Sequence, residues 1–550
     1  MSIRLIAAAA ALSLLAVAQE EPLPTERVGV SLTETKLTLA DAVKTALENN
    51  LEIEIERTNP IIASLAVKAA LGSFDPTFHY APSFQNNNTP TSSSLTGING
   101  LLTEQTNTQN VWLNWKTPFQ GSSVALDFEN NRQVTNSPFA GLTPFFNSRL
   151  VLSYTQPLWR NRAIDQARND LRIRRKNLSI SDLDFKLRVI DVVSRVETAY
   201  WDLVAARQDV TVTHDAVGLA GEQYARNQRM IASGSLAPVE LSASKAELER
   251  RRDAYFASLG TVTEVENTLK SLLAPNRAAL LWNDQIIPLD LTSRPPSVIV
   301  DVRSAVSDAI QDRPELKQAL LRQQANAYDQ QYAADQAKPQ VNLIASYTNS
   351  GLAGAINTAP NPFNALIDPI FSELNLLSAA AGLPVVPPLA SAPLPNSVIG
   401  GYGTALSSVF GGNYQSASVG VQFDLTLRNR SAQAFAAQTA VTGKRLKLEQ
   451  AQIEQAVEVQ VRNALQAIQT ARQRISAAEA SEAAAKEKLE SETRLFQTGE
   501  STNFLVLTRQ GDYLDARRRT VVARLESNRA TARLEQALGT TLSTYHVTLK

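Results

Sequence analysis

The longest regular pattern of apolar positions lies between Ser431 and Thr498, a stretch with no proline and one glycine, Gly443. Its apolar positions recur at gaps of seven, four, four, four, three and seven: Leu446, Ile453, Val457, Val461, Leu465, Ile468 and Ile475. This spacing keeps them on one face of an α-helix. At about 1.5 Å per residue, the stretch predicts a helix on the order of 100 Å long, whereas helices of globular proteins average about 11–12 residues.

The same helical period predicts further helices in the first half of the chain. One begins near Thr38, with Thr38 or Asp41 as its N-cap, and a second short helix is predicted over residues 51–71. Residues 163–233 contain no proline and predict a second long helix. Residues 238–273 then predict a returning helix, because proline is tolerated in a first helical turn.

A different, two-residue period predicts strands on either side of these helices. Apolar and polar residues alternate over 78–85, 111–116, 124–129 and 149–154, and again over 341–347 and 419–425. The Asn- and Thr-rich residues 86–108 predict a loop between the first two. Such alternation suits a membrane barrel with lipid on one side and water on the other. A soluble β-sandwich has the same alternation, so the pattern alone leaves both architectures open.

The order of these elements occurs twice along the chain, which indicates an internal duplication. Corresponding breakpoints recur at a nearly constant offset: Pro76 and Pro339, Arg160-Asn161-Arg162 and Arg428-Asn429-Arg430, Gly234 and Gly499. Residues 349–416 interrupt the second half with eight prolines and only Asp368 and Glu373 as charges. We expect a long irregular loop there, on the extracellular side of a barrel. It is either a surface loop without a specific role or a lid or docking segment.

The start of the chain predicts a secretory signal peptide. Arg4 is followed by the apolar residues 5–17, and Ala16-Val17-Ala18 forms a cleavage site before Gln19. The complete predicted division is a signal peptide (1–18), an irregular N-terminal segment (19–37), a first repeat (38–274), a linker (275–300), a second repeat (301–542) that contains loop 349–416, and a C-terminal tail (543–550).

Composition and charge argue against several classes of function. The chain has 53 basic and 53 acidic residues, so a polyanionic partner such as nucleic acid is not indicated. It has no cysteine, which excludes thiol catalysis and thiolate zinc sites, and its histidines are scattered: His79, His214 and His546. No phosphate-binding glycine loop is present. We therefore expect no enzyme, no metal and no cofactor, and any energy for transport has to come from a partner.

Several short segments, in this duplicated order, resemble the TolC family of outer-membrane efflux and secretion ducts. They are Leu39-Ala40-Asp41-Ala42 with Asn49-Asn50, Gln156-Pro157-Leu158, Ala199-Tyr200-Trp201-Asp202-Leu203, and the paired breaks Ser233-Gly234-Ser235 and Thr498-Gly499-Glu500. The resemblance covers about residues 38–542. It implies a mainly α fold with a membrane β-barrel. Three copies would share one outer-membrane β-barrel, which continues as a long periplasmic α-helical barrel.

The resemblance also implies function, partners and location. The chain is expected to be the outer-membrane exit duct of a tripartite efflux or type I secretion system. Its partners would be two further copies, outer-membrane lipid, a periplasmic adaptor (membrane fusion) protein and an inner-membrane pump of the RND, ABC or MFS type. A secreted structural coiled coil or adhesin-like envelope protein is the alternative. The sequence does not distinguish drug efflux, metal efflux and protein secretion.

The number of strands is one point on which the chain departs from the family pattern. The family contributes four strands per protomer, two from each repeat, whereas the first repeat here offers four candidates. The turn at residues 118–121 is short, as periplasmic turns are, which would permit six strands per protomer and eighteen in the barrel. We expect four strands per protomer and twelve in the barrel, with the extra hairpin outside the wall.

By the resemblance, the functional residues lie at the two helix breaks. Six residues form the tips that dock the adaptor: Ser233, Gly234, Ser235, Thr498, Gly499 and Glu500. Acids just past these glycines would ring a closed periplasmic entrance, and Glu240 and Glu500 are the candidates, with Phe496 and Phe504 packing to hold the gate shut. In the second repeat, Leu505 and Thr508 stand where the family has acids, so the double ring is incomplete. Ordinary solvated charges are the alternative for both glutamates.

Overall fold

The computed structural model describes residues 27, 29–30, 33–92, 96–290, 301–359, 362–387 and 394–547. The predicted signal peptide lies outside the described residues, as do most of the N-terminal segment, the end of the linker from residue 291 onward and the end of the tail from residue 548 onward. Within the part of the chain that is described, no helix has the length and apolar content needed to cross a membrane.

The chain is mainly α-helical, with one large sheet. The longer helices are α1 (Leu39–Asn49), α2 (Leu51–Leu71), α3 (Gln166–Ala232), α4 (Val239–Leu273), α5 (Val302–Asp312), α6 (Pro314–Gln336), α7 (Pro362–Ala380), α8 (Tyr402–Gly411), α9 (Arg430–Thr498) and α10 (Asn503–Leu538), followed by the short α11 (Thr541–Thr544). The strands are β1 (Glu34–Leu37), β2 (Thr77–Pro90), β3 (Leu101–Lys116), β4 (Ser123–Thr135), β5 (Leu142–Pro157), β6 (Gln285–Pro288), β7 (Gln340–Ile356) and β8 (Tyr414–Asp424).

The helices lie close to their predicted positions because their sequence signals are strong. Helix α2 begins and ends at the predicted residues, and α9 begins at Arg430, just before the predicted start, and ends at the predicted Thr498. Thr38 is the N-cap of α1, where its side chain accepts a hydrogen bond of 3.1 Å from the Asp41 amide. Capping of this kind satisfies an amide that has no partner within the helix.

The described residues within 1–59, 182–318 and 450–550 form one compact unit, and those within 60–181 and 319–449 form a second. We call them the helical unit and the sheet unit. Each takes residues from both predicted repeats, and α2, α3, α6 and α9 contribute to both. The compact units are therefore not the two repeats of the sequence.

In the helical unit, the end of the N-terminal segment and part of the linker form a small parallel sheet. Strand β1, at the end of the N-terminal segment, pairs with β6 in the linker, from Glu34 with Gln285 to Leu37 with Pro288. The prediction of an irregular N-terminal segment was wrong at residues 34–37, and the linker contains a strand that the sequence did not predict. Each strand is too short to show a periodic pattern, and the pairing joins positions at opposite ends of the first repeat, which local sequence signals do not reveal.

The motif residues Tyr200, Trp201 and Leu203 lie in the main apolar core of the helical unit. The Tyr200 hydroxyl lies 2.9 Å from Asp290 Oδ2 and 3.1 Å from the Leu37 carbonyl oxygen, so it joins α3 to the ends of the small sheet. Burial raises the pKa of this hydroxyl well above its ordinary value, which keeps it a hydrogen-bond donor.

Ion pairs between α3 and α10 join the first repeat to the second. Three aspartates at intervals of about two helical turns on α3 meet three arginines of α10, with N–O distances of 2.7–2.8 Å: Asp202 with Arg529, Asp209 with Arg518 and Asp215 with Arg517. These side chains are partly exposed, so each pair contributes little by itself, on the order of 0–1 kcal/mol. Their spacing fixes the register between the two helices.

The sheet unit contains one antiparallel sheet of six strands in the order β2-β3-β4-β5-β7-β8. The expectation of four strands per protomer was wrong, since β3 and β4 lie inside the sheet and not beside it. The predicted loop 86–108 was also too long, because residues 86–90 and 101–108 continue β2 and β3. In these residues, most side chains on both faces of the sheet are polar. The alternation of apolar and polar residues that predicts a strand is therefore absent, although the backbones still pair.

The two faces of this sheet differ sharply in polarity. Residues that pair directly across neighbouring strands share a face, and every second residue along a strand belongs to it. One face carries Phe78, Tyr80, Leu113, Trp115, Val124, Leu126, Leu152, Tyr154, Tyr347, Val419, Val421 and Phe423. The other is mostly polar, with His79, Ser83, Asn114, Asp127, Glu129, Arg149, Ser153, Ser346, Ser416 and Ser418, although Trp112, Val151 and Ile344 also lie on it. We call these the apolar face and the polar face.

Residues 349–416 are more regular than expected. The beginning of this insert continues β7, its end starts β8, and the middle contains α7 and α8. The expectation of an irregular loop was therefore wrong for much of the insert. Its many prolines obscured the helices, although Pro362 occupies a first helical turn, where proline is tolerated.

We predict that Tyr200→Phe destabilises the protein by about 1.5–3 kcal/mol, because it removes the hydroxyl that lies 2.9 Å from the half-buried Asp290 carboxylate and leaves that carboxylate with the Leu39 amide as a donor. The measurement is the urea midpoint of the purified protein in detergent, with Tyr154→Phe as the control. The Tyr154 hydroxyl is exposed and donates to Gln156 at 2.8 Å, so its removal should change the midpoint little. Equal midpoints for the two variants would contradict the role given to Tyr200.

Candidate functional site

The first helix reversal, between α3 and α4, is built around Gly234. The Gly234 amide donates to the Ile231 carbonyl (2.9 Å) and the Ser235 amide donates to the Met230 carbonyl (2.8 Å), which closes the end of α3. Gly234 has φ = +75°, a left-handed conformation that glycine adopts without strain. A Cβ here would meet no atom within 4 Å, so the backbone angle and not space requires the glycine.

The second reversal, between α9 and α10, repeats this geometry at Gly499. Its amide donates to the Phe496 carbonyl (3.3 Å), the Glu500 amide donates to the Leu495 carbonyl (2.9 Å), and Gly499 has φ = +84°. Thr502 then caps α10 by accepting a hydrogen bond from the Leu505 amide. Two matching reversals, one in each half of the chain, are what the duplicated sequence predicts.

Next to these reversals lies a cluster of buried polar side chains that the sequence did not reveal. Its members are Gln223 and Asn227 of α3, Glu240 and Ser244 of α4, and Asn503 of α10. We call this group the polar cluster. All but Glu240 are almost completely buried. Single Asn, Gln and Ser residues on long helices are usually exposed, so a sequence signal for the cluster does not exist.

Asn503 is the centre of the polar cluster. Its Oδ1 accepts hydrogen bonds from Gln223 Nε2 (3.0 Å) and Asn227 Nδ2 (2.9 Å), and its Nδ2 donates to Glu240 Oε2 (2.9 Å). Asn227 Nδ2 also donates to Ser244 Oγ at 3.1 Å. A buried amide is costly unless it is hydrogen-bonded. One residue of the second repeat therefore holds both helices of the first reversal.

The four predicted gate residues differ in their surroundings. Glu240 is half-buried and bonded to Asn503, so its carboxylate is not an ordinary solvated charge, whereas Glu500 is exposed. Phe496 is only 4% exposed and Phe504 is 72% exposed. The structure therefore places Phe496 in the packing of its own chain and leaves Phe504 free to meet another surface. The docking residues Ser233, Gly234, Ser235, Thr498 and Gly499 are all exposed.

Glu492, which the sequence did not single out, fastens the second reversal. Its carboxylate accepts a hydrogen bond from the Ser501 hydroxyl and lies 3.9 Å from Arg509. A carboxylate one to two turns before the end of α9 thus reaches across to the start of α10. Side-chain amides donate the hydrogen bonds at the first reversal, whereas the Glu492 carboxylate accepts one at the second.

Within the described ranges, no group of histidine, aspartate and glutamate side chains has the geometry to hold a metal ion. Two of the histidines named in the sequence analysis, His79 and His214, lie in different units of the fold and have different neighbours. His214, on α3, packs its ring against Tyr255 at 5.8 Å, and His79 lies on the polar face of the sheet. The chemistry around the helix reversals is that of hydrogen bonding and packing.

Comparison with known proteins finds a family match in the second repeat. Residues 378–540 match the family model described as outer membrane efflux protein. This segment runs from the end of α7 to just past the end of α10, so it contains α9, the second reversal and Asn503. No curated protein sequence matches the chain significantly.

Solved structures of outer-membrane channels share the fold over nearly the whole chain. The CmeC outer membrane channel of Campylobacter jejuni has a TM-score of 0.60 at 15% identity, covering 92% of this chain and 86% of that one. VceC of Vibrio cholerae has 0.59 at 14% identity, covering 91% and 96%. The open state of the MtrE channel of Neisseria gonorrhoeae has 0.57 at 14% identity, covering 92% and 89%.

At these identities the structural likeness establishes the fold, and the family match in the second repeat adds the class of protein. Together they agree with the resemblance carried by the duplicated order of elements. Residues 378–540 therefore match the outer membrane efflux protein family, and nearly the whole chain has the fold of solved outer-membrane channels.

Proposed function

We propose that this chain is the exit duct of a tripartite efflux or type I secretion system and that it works as a homotrimer. A periplasmic adaptor and an inner-membrane pump of the RND, ABC or MFS type would supply the substrate and the energy. The observation that carries the proposal is the six-stranded sheet with one apolar and one polar face. Such a sheet suits a wall between lipid and a water-filled lumen.

The edges of the sheet support closure by further copies. Strands β2 and β8 lie at the two ends of the strand order. An unpaired backbone group costs several kcal/mol in hydrocarbon, so open sheet edges do not persist there. Neighbouring strands alternate in direction, so the first and last of six strands, β2 and β8, run in opposite directions. In copies that point the same way across the membrane, β8 of one copy would therefore pair antiparallel with β2 of the next. Three copies would close a barrel of eighteen antiparallel strands.

The helix reversals suit the periplasmic end of such a duct. Their exposed residues, Ser233 to Ser235 and Thr498 to Glu500, are where we propose that the adaptor docks. Glu240 and Glu500 would bring carboxylates to the entrance in each of three copies, and the exposed Phe504 would pack against its counterparts. The polar cluster then holds the two hairpins of one chain together in the closed state.

The alternative, a secreted coiled coil or adhesin, explains the long helices but not the sheet. A water-exposed structural protein would have no use for a face with Phe78, Tyr80, Val419 and Phe423 all exposed. Exposed apolar patches of that extent mark an interaction with lipid or protein.

We predict that the chain migrates as a trimer in the outer-membrane fraction until it is heated. Closure of one barrel by three chains removes all edge strands, which makes the assembly resistant to detergent. Electrophoresis of heated and unheated samples measures this.

Deletion of the gene should increase sensitivity to exported drugs or abolish export of secreted proteins, and which of the two occurs identifies the substrate class. A monomeric, water-soluble product would contradict the proposal.

We predict that Asn503→Leu makes the duct leaky. The change removes three hydrogen bonds of the polar cluster, and a loss of about 1–3 kcal/mol from the closed state raises the open-to-closed ratio roughly 5- to 150-fold. Single-channel recording of the purified trimer measures the open fraction. Thr261→Ala is the control, because its hydroxyl is exposed and bonds only within α4. An unchanged open fraction in an intact Asn503→Leu trimer would rule out the role of the cluster.

We also predict that Glu240→Gln lowers the cation selectivity of the open duct. The amide still accepts the hydrogen bond from Asn503, so the hairpins stay joined while up to three negative charges leave the entrance. Reversal potentials in a salt gradient measure the change, and Glu249→Gln, an exposed glutamate of the same helix paired with Arg252, is the control. Equal reversal potentials for the two variants would place Glu240 away from the ion path.

A further inference from the structure

The apolar face of the sheet is too short to cross a bilayer without help. On β3, β4 and β5 its apolar residues extend over five positions each: 111–115, 124–128 and 150–154. On β7 they extend over seven, from Val341 to Tyr347. A strand of a transmembrane barrel needs about 9–11 residues. These four strands, on their own, therefore leave part of the hydrocarbon thickness uncovered.

The next row of the apolar face is polar, and α8 covers it. Asn130 of β4 pairs with Ser148 of β5, which pairs with Gly351 of β7. The Tyr402 hydroxyl of α8 donates to Asn130 Oδ1 at 2.8 Å, and Ser148 is fully buried. A Cβ at Gly351 would overlap the Ala405 carbonyl oxygen, so only glycine lets α8 approach this closely.

The contacts of α8 continue into the rows on both sides of the polar row, one of which also contains Arg132, the partner of Phe146. Phe410 lies 6.2 Å from the ring of Phe128 on one side, and Tyr402 lies 6.0 Å from the ring of Phe146 on the other. With α8 in place, the covered and apolar positions of β5 extend over 146–154. This span reaches the length of about 9–11 residues that a membrane strand needs.

Helix α7 carries an exposed apolar stripe. Phe363, Leu366, Ile370, Leu374 and Leu377 recur at gaps of three, four, four and three, which places them on one side of the helix. Leu366 is 67% exposed and Ile370 is 61% exposed. Asp368 lies on the far side, and Glu373 flanks the stripe as the only other charge of the helix.

Helix α7 is fixed near the end of the β4–β5 hairpin. The Asn357 side chain, just before the helix, donates to the Ser137 and Ala140 carbonyls at 3.1 and 2.8 Å. The Phe363 ring meets Phe139 of the same hairpin loop at 5.7 Å. The stripe therefore starts at the end of the sheet where the uncovered apolar band stops.

We propose that α7 and α8 lie on the outside of the barrel and bind the acyl chains of outer-leaflet lipid, so that the insert completes the lipid-facing band. The proposal rests on the proposed function, since it takes the apolar face as the lipid side. Helix α8 packs on that same face, and a lid over the lumen would instead pack at the polar face. Helix α7, with one apolar side and few charges, has the character of a helix that lies in a membrane interface.

The absence of cysteine from the chain permits a direct test with single cysteines that carry a nitroxide spin label. Leu366→Cys and Ile370→Cys report on α7. Val419→Cys and Ser418→Cys are matched controls, because these adjacent residues of β8 lie on the apolar and polar faces. Each labelled trimer is placed in phospholipid vesicles, and its accessibility to oxygen and to a water-soluble nickel complex is measured by paramagnetic resonance.

We expect high oxygen and low nickel accessibility at 366, 370 and 419, and high nickel accessibility at 418. Nickel accessibility at 366 and 370 like that at 418, with 419 in lipid, would overturn the lipid-binding insert and leave the duct intact. Low accessibility to both reagents at 366 and 370 would also overturn it, because it means that another copy of the chain covers α7. Nickel accessibility at 419 would contradict the duct itself.

Discussion

Backbone amides and carbonyls have no water to bond to in hydrocarbon, and this constraint governs the sheet unit. A sheet with one apolar face can enter a membrane only if its edges are closed. Six strands in one chain, β2 to β5 with β7 and β8, leave two edges. The proposed assembly of three copies meets that requirement, because six antiparallel strands let β8 of one copy pair with β2 of the next. The same requirement makes a hairpin outside the barrel wall unnecessary, because β3 and β4 pair on both sides.

Polar and apolar contacts have different tasks in this molecule. Apolar burial, as around Tyr200 and Leu203, fixes the helical unit permanently, since its contacts do not depend on a partner. The polar cluster around Asn503 is different, because hydrogen bonds exchanged with water cost little to break when a site opens. The gate that we propose needs contacts that are specific in the closed state and replaceable in the open one. Buried amides near an otherwise exposed helix reversal meet both needs.

The sequence predicts the long helices and their ends well because those signals are local. Period, caps and glycine breaks place α2, α9 and the two reversals at or next to their observed positions. Signals that depend on distant partners were missed. The β1–β6 pairing joins residues far apart in the chain, and β2 and β3 continue where polar residues on both faces hide the alternation.

In the candidate site, too, residues with a local sequence signal were predicted and residues that depend on distant contacts were not. Gly234 and Gly499 are visible in the sequence because a left-handed residue demands glycine, but Asn503 and Glu492 acquire meaning only from what they touch. Helices α7 and α8 were hidden by the prolines of the insert, although the apolar spacing of Phe363, Leu366 and Ile370 is present in the sequence. The helical spacing of these apolar residues was the signal that could have predicted α7 despite the prolines.

Closure of one barrel by three six-stranded sheets is tested most directly by electron cryomicroscopy of the detergent-free protein in lipid nanodiscs. A threefold ring of eighteen strands, in which β8 of each chain pairs with β2 of the next, is the expected result. A ring of twelve strands, with β3 and β4 outside the wall, or a single sheet that does not close would contradict it.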